Sequence, residues 1–314
     1  MRVALVHNAK LPVEGYGGTE RLVWWLAKGL SEMGVKVQLV AQRGSVCPFA
    51  EKVVTSKDPY DAVDGVEADV IHFFHTPNKV PTTPYVVTIG GNAQPGETFA
   101  PNTVFVSRNH ALRHGSESFV HNGVDPADCL YSDKKDSYLV FLAKASWSVK
   151  NVKGAIRLAR ASKRNLEILG GSRILNPYRN VRWRGTVGGV EKALTLSNAA
   201  GLLFPVLWHE PFGLAVVEAL FSGTPVLATP FGSLPELIHP SVGRICRTED
   251  EFLMGISELS TFRPKDCRDW AMEHFHYSRM AQSYVQKYES VLEGVPLNLI
   301  SPHHTPSSLT VFQV

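Results

Sequence analysis

Short apolar runs recur along this chain with amphipathic stretches between them. VALVH (3–7) has the length and composition of a buried parallel strand. GYGGTERLVWWLAKGLSEMG (15–34) reads as a glycine-rich loop, a helix capped by Thr19 and a stop at Gly34, after which VKVQLVA (35–41) resumes strand. DVIHFF (69–74), YVVTI (85–89), TVFVS (103–107) and SFVHNGVD (118–125) are read as further strands. The polar stretch DPADCLYSDKKDS (125–137) interrupts this rhythm and marks a boundary. Alternation then restarts: strands in YLVFLA, NLEILGG, NVRWRG, GLLFPV and TPVLAT, helices in KNVKGAIRLARAS, GVEKALTLSNA and LAVVEALFSG. From Glu249 the pattern is helical, and the final stretch with SPHHTPSS reads as a loosely held tail. The predicted organisation is one β/α domain over 1–130, a second over 131–275, a helix over 276–292 and a tail over 293–314.

Length and composition agree with two α/β domains. The 314 residues exceed what one core usually fills, and 44% hydrophobic with 19% charged residues excludes wholesale disorder. A net charge of +3 is too small to imply a nucleic-acid partner, though it suits an anionic ligand or peripheral docking on a membrane. Cys47, Cys129, Cys246 and Cys267 form no C-x-x-C and predict reduced thiols, with neither a disulfide framework nor a metal site. No apolar segment precedes the first strand and none approaches the roughly 18 residues of a spanning helix, so the expected address is the cytoplasm or the inner membrane face.

Four loops carry unusual composition where strands run out into helix starts, the position at which doubly wound sheets bind ligands. EGYGGTE (14–20) offers glycines and free N–H groups, as a phosphate requires, but is neither a Walker motif nor G-x-G-x-x-G. AKASWSVKNVKG (143–154) places Lys144 and Lys150 before a helix, against its dipole, which an anion would compensate. In HEPFGLAVVEAL (209–220), Glu210 precedes the helix-start amides of Phe212, Gly213 and Leu214, while Glu218 sits on an apolar helix. Glu210 reads as a ligand for a polyhydroxylated molecule or as a helix cap, Glu218 as a ligand for vicinal ribose hydroxyls or as half of an ion pair. TPFGSLPEL (229–237) brings Gly232 to a fourth loop, for close ligand approach or a plain turn. A nucleotide diphosphate sugar is the ligand that uses all four.

The residues EPFGL (210–214) with Glu218, followed by SGTPVLAT and LPELI, resemble the E-x7-E region of the family 4 retaining glycosyltransferases of GT-B fold. The likeness extends to YGGTERLVWWLAKGLSEMGVKVQLVA, similar to a bacterial subgroup with Tyr-Gly-Gly in its first loop, to VSRNHALRH…VHNGVD, to FLAKASWSVKNVKGAIRLAR and to HFHYSRMAQSYVQKYESVL. The resemblance implies two doubly wound Rossmann-like domains facing across a cleft, an acceptor-side one and a nucleotide-sugar-binding one, with C-terminal helices crossing back to the first. It implies transfer of a hexose-type sugar from a nucleotide diphosphate, UDP before GDP, to a saccharide, lipid-linked or small-molecule hydroxyl, with retained configuration and no metal or other cofactor. Glu218 would hold the ribose, and Glu210 with the Phe212–Leu214 backbone would grip the sugar. Lys144 and Lys150 would neutralise the leaving diphosphate, and Gly17 and Gly18 would approach it from the first domain. His75, Gly90 and Asn92 fall on the acceptor side.

Three positions depart from the family pattern: Lys144 replaces an Arg, Ala143 a Gly, and Gly90 a His close to the reacting sugar. The missing His leaves a non-catalytic GT-B-like protein, binding a nucleotide sugar or a partner, as the alternative. An epimerase or phosphorylase accounts less well for the Phe-Gly-Leu spacing, and a nicotinamide dehydrogenase lacks its fingerprint in the first loop.

Overall fold

The computed structural model describes residues 1–13, 15, 17–63, 66–172 and 177–304. Two units divide the chain: one comprises Met1–Gly123 with the described residues from Phe275 on, the other Val124–His274. The polar stretch 125–137 opens the second unit.

The first unit holds β1 (Arg2–Val6), α1 (Gly18–Glu32), β2 (Lys36–Gln42), β3 (Lys52–Ser56), β4 (Val70–Phe73), β5 (Tyr85–Ile89), β6 (Thr103–Phe105) and the short α2 (Arg108–Leu112). Its strands form a parallel sheet in the order β3-β2-β1-β4-β5-β6, with Val3 opposite both Val37 and Val70. Helices cover this sheet, which explains why its inner strands are continuous apolar runs and not alternating ones. α1 turns Leu22, Val23, Trp25, Leu26 and Leu30 into the core. Trp25 is therefore core packing, while half-buried Trp24 meets Phe49 edge-on.

The second unit holds β7 (Leu139–Leu142), α3 (Val152–Ala161), β8 (Leu166–Leu169), β9 (Val181–Trp183), α4 (Gly189–Asn198), β10 (Gly201–Phe204), α5 (Leu214–Phe221), β11 (Val226–Ala228), α6 (Leu234–Leu237), β12 (Gly243–Ile245), α7 (Glu249–Ser257) and α8 (Pro264–Phe275). Its sheet runs β12-β11-β10-β7-β8-β9, the same topology as the first. Lys135, from the polar stretch, donates to the Ser197 and Ser222 carbonyls at 2.6 and 3.0 Å and to Thr224 Oγ1 at 3.1 Å, tying down the negative ends of α4 and α5. Burial lowers its pKa to about 8.

Helix α9 (Tyr277–Leu292) belongs to the first unit. It packs on α1 where Gly29 has no side chain, so that Ala281 and Tyr277 come close. Its Tyr288 hydroxyl lies 2.7 Å from His72 Nδ1, His72 Nε2 lies 2.7 Å from Thr88 Oγ1, and Thr88 meets the Tyr284 hydroxyl at 2.7 Å. This buried chain links α9 to β4 and β5 with every side-chain polar atom partnered. Burial pushes His72 down to about 3.

Three expectations are corrected, and two strands are added. Segment 118–125 is not a strand; it carries isolated bridge positions, among them Phe119 opposite Phe105, while Ser118 and Asp125 engage local turns. β3 and β12 are strands that the apolar pattern does not announce, the one a polar edge strand and the other only three residues long. α1 is capped by Gly17, with Thr19 inside its first turn. The tail is firmly held as far as 304. Asn298 is buried, donates to the Pro101 and Thr103 carbonyls at 2.7 and 2.9 Å and accepts from Ser116, and the His303 and His304 amides bond to the His114 and Glu97 carbonyls.

Candidate functional site

In the second sheet the chain order reverses between β7 and β10: β7 leads outward through α3 to β8, and β10 the other way through α5 to β11. Loops leaving the carboxyl ends of such a strand pair diverge and open a crevice. Lys150 leaves β7 and Glu210 leaves β10, and the two meet here.

The β7 loop is shaped by Asn151, which adopts a left-handed conformation at φ 56°, caps the Gly154 amide at 3.0 Å and donates from Nδ2 to the Pro205 carbonyl at 2.9 Å. The Leu207 amide bonds to the Val149 carbonyl at 2.7 Å. These contacts interlock the two loops and fix Lys150 relative to the segment that carries Glu210.

Glu210 is itself gripped by its backbone. It bridges to Gly232, and its carbonyl accepts from the Ser233 amide at 3.0 Å. Gly232 has φ +67°, and a Cβ there would collide with the Glu210 main chain. The close approach that the sequence suggested for Gly232 is thus made by Glu210. Gly213, at φ +97°, turns the chain into α5, and Ser233 Oγ donates to the Phe212 carbonyl at 2.5 Å.

The N-cap of α5 is Gly213, which has no side chain to cap it, and the Glu210 carboxylate is engaged elsewhere. Its Oε2 accepts from Lys150 Nζ at 2.6 Å and from Trp208 Nε1 at 2.7 Å. Residues Lys150 and Glu210 are only 8% and 7% exposed, so neither charge is dissolved in bulk water. The Lys150 ammonium also lies 4.4 Å from the centroid of the Trp208 ring. Trp147, 45% exposed, stands edge-on to Trp208 at 6.1 Å and carries exposed Lys144 at 5.0 Å from its own ring.

Glu218 has the ion-pair partner that was one of its two readings: Lys192 Nζ lies 2.5 Å from Oε1, both residues being buried. Lys192, Trp208 and Trp147 were not singled out in the sequence. Lys192 leaves a trace, because it shares the buried face of α4 with Leu196.

The remaining predicted residues lie in the first unit. Gly17 and Gly18 open α1, His75 follows β4, and Gly90 and Asn92 follow β5, all at the carboxyl edge of that sheet. Exposed His75 contacts the Thr76 carbonyl at 3.0 Å, and Asn92 accepts from Arg113 at 2.9 Å. A Cβ at Gly90 would meet no atom within 4 Å. Tyr16 of the Tyr-Gly-Gly loop lies outside the described residues. Among the described residues, no group of three or more His, Cys, Asp or Glu is placed to hold a metal ion.

Residues 130–271 match the family model of the glycosyl transferases group 1. The matched segment, 130–271, is thus similar to the group 1 glycosyl transferases. AviGT4, a glycosyltransferase involved in avilamycin A biosynthesis, superposes with a TM-score of 0.78 at 25% identity, over 94% of this chain and 98% of that one. HepE of Anabaena, in complex with UDP and glucose, superposes at 0.65 with 13% identity over 92% of this chain and 100% of that one, a likeness of fold. The paired sheets are those of GT-B glycosyltransferase structures. An uncharacterised protein of the cps region of Klebsiella pneumoniae is 33% identical over 147 residues, 43% of this chain and 40% of that protein's length. Lys144, Lys150, Lys192, Trp208, Glu210 and Glu218 all fall inside the group 1 segment, whereas Gly17, Gly18, His75, Gly90 and Asn92 fall outside it.

Proposed function

We propose that this protein transfers a hexose-type sugar from a nucleotide diphosphate sugar, a UDP-sugar before a GDP-sugar, to a hydroxyl of a saccharide, lipid-linked or small-molecule acceptor. The observation that carries this reading is the buried Lys150–Glu210 pair at the switch point of the second sheet. Glu210 and the Phe212–Leu214 amides offer acceptors and donors to the sugar, and Glu218, held by Lys192, offers its carboxylate to the ribose. The exposed ammonium of Lys144 meets the diphosphate. Lys150, already shared with Glu210, supplies a second positive charge in a water-poor setting, where preorganised charge stabilises a departing diphosphate most. One held cation, Lys150, and one exposed cation, Lys144, beside the leaving group support metal-independent chemistry, and retention follows the family resemblance. The cps-region relative supports a place in polysaccharide assembly, and the UDP complexes of HepE support UDP. Among the described residues no helix is long and apolar enough to cross a membrane, and we assign the protein to the cytoplasm or the inner membrane face.

A thermal-shift series with UDP, GDP and their common sugar conjugates, followed by donor hydrolysis assays, tests this. One nucleotide series should raise Tm in proportion to the logarithm of its concentration, with slow sugar release. No shift with either series would overturn the reading. The open space at Gly90, where relatives carry a His, favours a second one: a protein that binds the donor without turning it over. Stabilisation without release or transfer would select it.

A further inference from the structure

We propose that Trp208 is a positioning residue for Glu210. Its indole N–H, together with Lys150, holds one carboxylate oxygen so that the other is presented to a hydroxyl of the transferred sugar. This rests on the glycosyltransferase reading and adds to it the residue that sets the orientation of the sugar-gripping acid.

Both donors converge on Oε2, from Lys150 Nζ at 2.6 Å and Trp208 Nε1 at 2.7 Å, and Oε1 accepts from no donor among the described residues. The backbone of Glu210 is already locked by Gly232 and Ser233, so the remaining freedom lies in the side chain, whose terminal torsion is intrinsically broad. Lys150 restrains that torsion poorly, because an ammonium on a flexible stem acts as a point charge whichever oxygen faces it. A planar indole donor is directional. The Trp208 ring is steadied by the edge of Trp147 at 6.1 Å and by the Leu207–Val149 backbone bond at 2.7 Å, so its N–H selects one oxygen. The same ring lies 4.4 Å from the Lys150 ammonium, which keeps the cation on the Oε2 side.

The nitrogen and the ring can be separated by substitution. Trp208→Phe keeps an aromatic face for Lys150 and removes the N–H; Trp208→His restores an N–H donor on a smaller ring. Dissociation constants for UDP with UDP-glucose, and for GDP with GDP-mannose, would be measured on the full chain for wild type and both variants, together with KM and kcat for donor hydrolysis. We expect Trp208→Phe to hold the free nucleotide within about twofold of wild type while weakening the nucleotide sugar about 10- to 100-fold, the range for a lost hydrogen bond to a charged group. The loss should appear in both KM and kcat, with Trp208→His recovering part of it. Equal loss of nucleotide and nucleotide sugar would show a merely structural indole and overturn the proposal, as would unchanged nucleotide-sugar affinity. A wild type that binds neither pair overturns the glycosyltransferase reading itself, a failure visible before any variant is made.

Discussion

Removing one member of the Lys150–Glu210 pair strands the other as a buried, uncompensated charge. Lys150→Met should destabilise the second unit by about 3–5 kcal/mol, whereas the double change Lys150→Met with Glu210→Leu should be close to neutral. Both should abolish donor binding, so that stability and function separate. Urea unfolding of the set checks this, and a single-variant loss under about 1 kcal/mol would mean that the pair behaves as a solvated one. At this scale the sequence was informative about acids and silent about their partners. Glu210 stands out because it interrupts an aromatic and glycine-rich loop, and Glu218 because a carboxylate on an apolar helix needs a partner. That Lys150 and Lys192 are partners depends on which elements lie side by side, and local spacing does not encode that; Trp208 is two residues from Glu210, but a tryptophan in a loop does not announce which way its N–H points. The helix-cap reading of Glu210 failed for the same reason, since capping is judged within one loop and Lys150 arrives from sixty residues away.

Elements read well wherever their periodicity was long and their faces were apolar. α1, α3 and α5 follow from such faces, and β1, β2, β4, β5, β7, β8 and β10 from apolar-rich runs of four to seven residues bounded by glycine or polar turns. β3 and β12 carry Lys, Thr, Ser, Gly and Arg at sheet edges, where burial no longer demands an apolar sequence. The converse error is 118–125, apolar enough for a strand yet pinned by side-chain turns. One loop element invites a direct test. Gly232→Ala forces an L side chain into a left-handed backbone and against the Glu210 main chain, so it should cost more than the about 1–2 kcal/mol of the conformation alone. It should also weaken nucleotide-sugar binding without touching any ligand. Chemical denaturation and donor titration report the two effects; wild-type stability in the Gly232→Ala variant would mean that the loop has another comfortable path.

For the whole molecule, the duplicated β/α rhythm was sufficient to read two doubly wound sheets, because strand–helix–strand connections in parallel sheets are nearly always right-handed and locally continuous. The held C-terminal segment was not legible, since its anchors are single side chains such as Asn298 bonding to loops almost 200 residues earlier. Acid sensitivity also belongs to this scale. Burial holds both His72 and His110 down to about 3, with His114 and Arg113 adding to the effect at His110. Each is neutral when folded and protonates near 6.5 when unfolded, so the unfolded chain binds more protons below that pH. Stability is fully present above about pH 6.5 and declines as pH falls toward 3, each histidine contributing a loss of about 2 kcal/mol between pH 7 and pH 5. His72→Gln should remove about 2 kcal/mol of the pH-dependent loss in that window; an unchanged slope would place the acid response elsewhere.

The discontinuity of the first unit has a consequence for how a ribosome delivers it. Its sheet is complete once residue 123 has been made, but α9, which covers α1 and supplies the hydroxyls for His72 and Thr88, is encoded about 150 residues later. At about 5–20 residues per second, the nascent half-domain waits on the order of 10–30 s with an uncovered apolar helix face and with His72 Nδ1 lacking its Tyr288 partner. The second unit, contiguous from 124 to 274, has everything it needs to fold during that interval. The half of the protein made first is therefore the half finished last, and it is the part exposed to chaperones, proteases and aggregation during synthesis.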